Sequence, residues 1–290
     1  MEKITLTGVP ATMLQTVYAR AQETQKPNHK IADEKAVALV SRLDYDFSLA
    51  EKDKTMSSGV IARTLVLDRM VKLYLQKSQD AVVINIACGL DTRCYRMQGY
   101  SHWYNLDLPE VMALREKLLP EEGMITQISA SAMDARWANG IAADGKPVLV
   151  IMEGLTMYLT EPDVKQIFAI IAVHFPDVTV FVETMTPFIV KAVKEKSIEG
   201  SHAKFTWGVK NGKSLAALLL DFTFVEEHSL VEGMEVIAPV YRVIGRIPFV
   251  RNLSNRIVVL VGEGGKYGIC RRNTKVWQNA PLCRGKNRWD

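Results

Sequence analysis

The chain reads as an α/β protein with a doubly wound sheet, and two patterns predict it. The first is Ala81-Val82-Val83-Ile84-Asn85-Ile86-Ala87, a nearly continuous apolar, β-branched run of strand length. Such a run suits a strand buried on both faces, as in a parallel sheet. The second is repetition with alternation. Further candidate strands span His102 to Leu106, Met124 to Ile128, Pro147 to Met152, Val178 to Glu183, Phe222 to Glu227 and Arg256 to Gly262, and helical segments separate most of them. Strands alternating with helices imply a doubly wound sheet. The clearest helix is Thr160 to Phe175, where Thr160 can cap, Pro162 is tolerated in the first turn and Asp163 completes a capping-box-like spacing. Val164, Ile167, Phe168, Ile171 and Phe175 then form one apolar stripe.

Ahead of the first strand, residues 1–79 are polar and helix-like. Ala36, Leu39, Val40 and Leu43 recur at helical spacing, as do Ile61, Leu65, Met70, Leu73 and Tyr74. Turn or loop signals stand at Lys26-Pro27-Asn28-His29 and at Ser57-Ser58-Gly59. We expect residues 1–79 to form a helical cap or lid over a core at 80–263. Two stretches, 184–221 and 231–254, are too long for simple connections and should decorate the sheet as insertions. The segment 264–290 has no period and no apolar face, and it reads as a mobile extension outside the functional body.

Charge and composition narrow the function classes. The 290 residues are 48% hydrophobic and 23% charged, an ordinary globular balance. The net charge of +4 is uneven: Lys266 to Asp290 holds 7 basic residues and 1 acidic, so the remainder is slightly acidic and does not look like a nucleic-acid-binding body. Cys88, Cys94, Cys270 and Cys283 form no C-x-x-C pair, which argues against both a zinc site and a disulfide framework. Met1 to Pro10 lacks a basic start followed by an apolar run, and no apolar stretch approaches the roughly 20 residues of a membrane span. These features predict a cytoplasmic protein without a membrane partner. Oligomeric state is not legible.

Ligands of open α/β sheets bind beyond the carboxyl ends of the strands. The first strand-to-helix turn, Ile86-Ala87-Cys88-Gly89-Leu90-Asp91-Thr92-Arg93, holds one glycine and is not the G-x-G-x-x-G of a pyrophosphate site. An NAD-dependent oxidoreductase is therefore disfavoured. Asp107, at the end of the second strand and 18 residues past Gly89, is placed to accept hydrogen bonds from both hydroxyls of an adenosine ribose. A nucleoside ligand without a pyrophosphate satisfies both facts.

Ala-Cys-Gly-Leu-Asp-Thr-Arg-Cys-Tyr-Arg at 87–96, Leu-Asp-Leu-Pro-Glu-Val at 106–111 and Glu-Gly-Leu-Thr-Met-Tyr-Leu at 153–159 closely resemble the leucine carboxyl methyltransferase family. The family includes protein C-terminal carboxyl methyltransferases and bacterial polyketide carboxyl O-methyltransferases. The resemblance extends from about Thr12 to Gly262. It implies a class I, Rossmann-like fold with seven strands, the last antiparallel, and S-adenosyl-L-methionine as cofactor. It further implies that Ala87, Cys88 and Gly89 line the methionine part, that Asp107 holds the ribose with Leu108 beside it, and that Arg63 grips the cofactor carboxylate. Glu153 would hold the ammonium group. In the adenine turn, Ser131 stands where relatives carry an acid, leaving Ala132 and Asp134 as the remaining contacts. Tyr158 and Arg20 match residues on the catalytic side. Asp91 and Arg93 are expected to pair and orient the turn.

The resemblance implies an O-methyltransferase acting on a carboxylate, preferably of a small molecule. Such an acceptor, with a pKa near ~4, is ionised at neutral pH and needs no general base. This agrees with the lack of a convincing dyad among His29, His102, His174, His202 and His228. The alternatives are a protein C-terminus as acceptor and a non-catalytic, cofactor-binding regulatory domain.

Overall fold

The computed structural model describes residues 2–3, 9–120, 122–192 and 204–262. Segment 264–290 and residues 193–203 of the first insertion lie outside the described residues. Seven strands form one sheet: β1 (Ala81–Ile86), β2 (Tyr100–Asp107), β3 (Ile125–Ser129), β4 (Val148–Met152), β5 (Val178–Thr184), β6 (Phe222–Ser229) and β7 (Arg256–Gly262). Their order is β3-β2-β1-β4-β5-β7-β6. Only β7 runs antiparallel to its neighbours, β5 and β6. This is the expected doubly wound, mostly parallel sheet with an antiparallel last strand, and all seven apolar runs pair within it.

Why these runs form strands is visible on β1. Val82, Ile84 and Ile86 face one helical layer and Ala81 and Val83 the other, all at most 1% exposed. Both faces are apolar because both are covered. The first layer contains α5 (Glu161–His174), whose Val164, Ile167, Phe168 and Ile171 insert against β1, β4 and β5. Its capping box is formed: the Thr160 hydroxyl accepts from the Asp163 amide while the Asp163 carboxylate accepts from the Thr160 amide.

The second layer is supplied by α3 (Lys54–Lys77), through Val66, Leu67, Met70, Val71 and Tyr74. Although it belongs to the N-terminal helical region, α3 is therefore a wall of the sheet core. The loop expected at Ser57-Ser58-Gly59 is not there, because these residues lie inside α3. The helix starts earlier, at Asp53, whose carboxylate accepts from the Met56 amide, and three weak helix formers in its first turns cost less than that cap and the buried stripe return. Ahead of it, α1 (Val9–Thr24) and α2 (Glu34–Arg42) pack through Leu14, Val17, Ala21, Ala36 and Leu39 onto Leu90 and onto α4 (Pro109–Leu118). That packing lays the N-terminal helices over the β1 turn. No helix among the described residues is long and apolar enough to cross a membrane.

Candidate active site

The strand register assembles the site. Ile86 pairs with Leu106 on one side and Met152 on the other, and Met152 pairs with Val182. The next residue on each strand, Ala87, Asp107, Glu153 and Glu183, therefore stands in a row along one rim of the sheet. This rim lies where the strand order reverses, the place where open α/β sheets open a crevice.

At the centre of the row the chain bends sharply. Ala87 and Gly89 both take left-handed backbone angles, with φ of 55° and 48°. Ala87 carries strain that a glycine would avoid. At Gly89 an added Cβ would also sit 3.1 Å from the Met13 Cβ. The Gly89 amide donates to Asp107 Oδ2 at 2.7 Å and the Leu108 amide to Oδ1 at 2.7 Å. A carboxylate offers about four acceptor positions, so two remain. Burial pushes the Asp107 carboxyl above its ordinary pKa, against the opposing pull of those two amides.

Behind the rim lies a connected set of four guanidiniums and five carboxylates: Arg20, Arg63, Arg93 and Arg96 with Asp33, Asp68, Asp91, Glu153 and Glu183. The expected Asp91–Arg93 pair forms at 2.6 Å. Arg93 also reaches Asp68 at 2.7 Å and Glu153 at 2.9 Å, with its side chain 1% exposed. Burial works against the charged form of Asp91, but Arg93, Arg96 and Arg20 outweigh it and hold the carboxyl well below the usual range. Glu153 is likewise lowered, burial being overcome by Arg63 and Arg93.

At the cleft end of this set, one guanidinium serves two acids. Arg63 Nε lies 2.7 Å from Glu153 Oε1, a close ion pair rather than a directed hydrogen bond, and Nη1 donates to Glu183 Oε2 at 3.1 Å. Glu183, 1% exposed, also accepts from the Gly154 amide and from Asn255 Nδ2.

The row opens into a cleft of about 1120 Å³. Arg20, Arg63, Ala87, Cys88, Gly89, Asp107, Leu108, Ser131, Ala132, Glu153 and Tyr158 all line it. Asp134 is not among the lining residues, and its carboxylate accepts from the Arg136 guanidinium two residues on. Arg20 is 3% exposed and already engaged, donating from Nε to Asp33 and from Nη2 to the Leu90 carbonyl, both at 2.9 Å. Tyr158 packs against Phe205 with ring centroids 5.4 Å apart. Cys88 is a buried thiol, and desolvation pushes its pKa up, the reverse of what an activated thiolate needs.

Sequence reasoning missed Glu183, Asn255, Asp33 and Asp68. Glu183 carried the same signal that singled out Glu153, an apolar strand running straight into an acid. Met56, Val60, Met185, Ile189, Met234 and Leu253 also line the cleft and give it an apolar portion.

A doubly wound sheet with a lone-glycine bend and an acid at the end of the second strand defines the class of S-adenosyl-L-methionine-dependent methyltransferases. The model of the family "Leucine carboxyl methyltransferase" matches residues 13–172. A "Tetracenomycin polyketide synthesis O-methyltransferase TcmP" from Streptomyces glaucescens is 34% identical over 238 residues, covering 80% of this chain and 87% of that protein. An "S-adenosyl-L-methionine-dependent methyltransferase dpfgK" from Gibberella zeae is 32% identical over 237 residues, covering 73% and 79%. Among solved structures, an S-adenosylmethionine-dependent methyltransferase from Mesorhizobium loti aligns at 14% identity and TM-score 0.48, over 68% of this chain and 97% of that one. The chain belongs to the leucine carboxyl methyltransferase family. It is a methyltransferase that uses S-adenosyl-L-methionine as cofactor.

Proposed function

We propose that the chain methylates a carboxylate of a small molecule, giving a methyl ester. The observation that carries this reading is the 34% identical relative named for polyketide synthesis O-methylation, within a family named for carboxyl methylation. The cleft supports it: about 1120 Å³ exceeds the ~300–1,000 Å³ of a typical single-ligand pocket, which leaves room for an acceptor beside the cofactor.

The residues fit the cofactor on two observations. Asp107 keeps two acceptor positions facing the cleft, enough for two ribose hydroxyls. The Arg63–Glu153 pair lines the cleft with a cation next to an anion, which matches the carboxylate and ammonium of an amino acid. In this reading Ala87, Cys88 and Gly89 line the methionine part of the donor, Leu108, Ser131 and Ala132 border the adenine, and Glu183 shares Arg63 with Glu153 so that the guanidinium stays in place.

When bound, the cofactor supplies a sulfonium methyl whose departure leaves a neutral thioether. The chain's residues need move no proton, because the acceptor carboxylate is ionised at neutral pH. Their work is alignment, where effective molarities of about 10⁵ M or more are available, and exclusion of water. The Asp107 and Arg63 anchors fix the two ends of the donor. Tyr158 and the apolar wall from Met56 to Leu253 orient the acceptor. Helices α1 and α2 serve as the lid. Arg20 acts from beneath the bend, through Leu90.

The test is chemical. Full-length protein is incubated with methyl-labelled cofactor and small-molecule extracts, and the labelled products are treated with mild base. A methyl ester releases volatile methanol. Label that survives base throughout, as an ether or an N-methyl group would, contradicts carboxylate methylation, and label confined to protein bands contradicts a small-molecule acceptor.

A further inference from the structure

Helix α4 carries Arg115 into the interior, where the residue is 0% exposed. Its Nη1 donates to the carbonyls of Gly89 and Asp91, both at 2.8 Å, and Nη2 lies 3.7 Å from Cys94 Sγ. Its Nε has no partner. Arg115 forms no ion pair among the described residues. A buried guanidinium without a carboxylate is costly, so the backbone carbonyls must supply what an acid otherwise would.

The fork closes one side of the bend. From the other side Arg20 Nη2 takes the Leu90 carbonyl at 2.9 Å. The three consecutive carbonyls 89–91 are thus all bound to buried guanidiniums, while the Gly89 amide goes to Asp107. This fixes the peptide planes of a segment that begins with two left-handed residues, Ala87 and Gly89. Arg115 itself does not line the cleft, so whatever it contributes to the ligand passes through the bend.

We propose that Arg115 is a positioning residue for the cofactor: by clamping the Gly89 and Asp91 carbonyls it holds the bend in the shape that receives the amino-acid end of the donor. This rests on the reading that the bend takes that end. The helix-borne fork does locally what a second glycine would otherwise leave loose.

Two ligands separate the possibilities. S-adenosylhomocysteine carries the amino-acid end, whereas 5′-methylthioadenosine has the same nucleoside and thioether without it. Titration calorimetry on the full chain, on Arg115→Met and on Arg115→Lys gives the affinity ratio of the two. Wild type is expected to favour S-adenosylhomocysteine clearly. Arg115→Met should weaken S-adenosylhomocysteine by about tenfold or more, the scale of a charge-assisted hydrogen bond, and methylthioadenosine much less. Arg115→Lys should fall between, because an ammonium can still donate to both carbonyls but loses the rigid planar geometry and the Nη2 contact to Cys94 Sγ.

If both variants melt cooperatively and keep the wild-type ratio, or lose both ligands in equal proportion, the positioning role is overturned while the reading of the bend stands. If wild type itself does not distinguish the two ligands, the reading of the bend fails and the proposal with it. Should Arg115→Met not fold, the lysine variant decides by the same ratio.

Discussion

Two charge clusters, one behind the cleft and one at the β6 edge, are built for opposite ends of the pH scale. Behind the bend, Arg20, Arg63, Arg93 and Arg96 hold five carboxylates. At the β6 edge, His228 sits between Glu226 at 3.3 Å and Glu232 at 3.2 Å, and Arg69 of α3 and Arg251 also reach Glu232. The first contains no histidine. The second turns on one. A site floor that must keep its shape is thus made of permanent charge, while the histidine joins peripheral elements, β6 and the segment following it, to α3.

The largest expected effect comes from breaking the first cluster. Arg93 touches three acids, so Arg93→Met leaves Asp68, Asp91 and Glu153 short of a partner in a buried setting. A loss of about 3–5 kcal/mol is expected, read as a lower midpoint in urea unfolding with an unchanged slope. A loss under ~1 kcal/mol would show that the cluster is peripheral to stability.

A smaller effect separates the clusters by the sign of their pH dependence. Burial opposes protonation of His228, but hydrogen bonds to Glu226 and Glu232 outweigh it and raise its pKa to about 9. A raised folded pKa contributes stability that is complete below the ordinary value near 6.5 and drains away as pH climbs through about 9. Asp33, Asp68, Asp91 and Glu153 are lowered, each with burial opposing and guanidiniums prevailing. Their contribution is complete above the ordinary carboxylate range and drains away as pH falls below it. Stability should therefore decline on the alkaline side through His228 and on the acid side through the arginine set. His228→Gln is expected to flatten the alkaline decline by about 1–2 kcal/mol between pH 6.5 and 9 and to leave the acid limb unchanged. An unaltered alkaline limb would sever the histidine from it.

The contrast also explains what the sequence could show. Strands were legible because each is a short β-branched run, and α5 because its cap and stripe are local. Gly89 and Asp107 were legible because the register that joins them spans only two adjacent strands. The partners of Arg63 were not: Glu183 lies 120 residues away, and nothing near Arg63 predicts it. Nothing in the sequence singles out Arg115, and only the fold brings it to the carbonyls of the bend. At Asp134, an acid in the expected turn, the carboxylate is paired with Arg136, a local contact that the motif does not foretell. At Ser57-Ser58-Gly59 the composition of a loop was overridden by the Asp53 cap and by the apolar face of α3.

The central claim is that Asp107 anchors a nucleoside at the rim of the sheet beside the Gly89 bend. Calorimetric titration of S-adenosylhomocysteine into the full chain and into Asp107→Ala tests it directly. The account predicts binding by the wild-type chain and a loss of about tenfold or more in the variant, the scale of two hydrogen bonds to a charged group. No binding by the intact protein, or equal affinity in both, would contradict it.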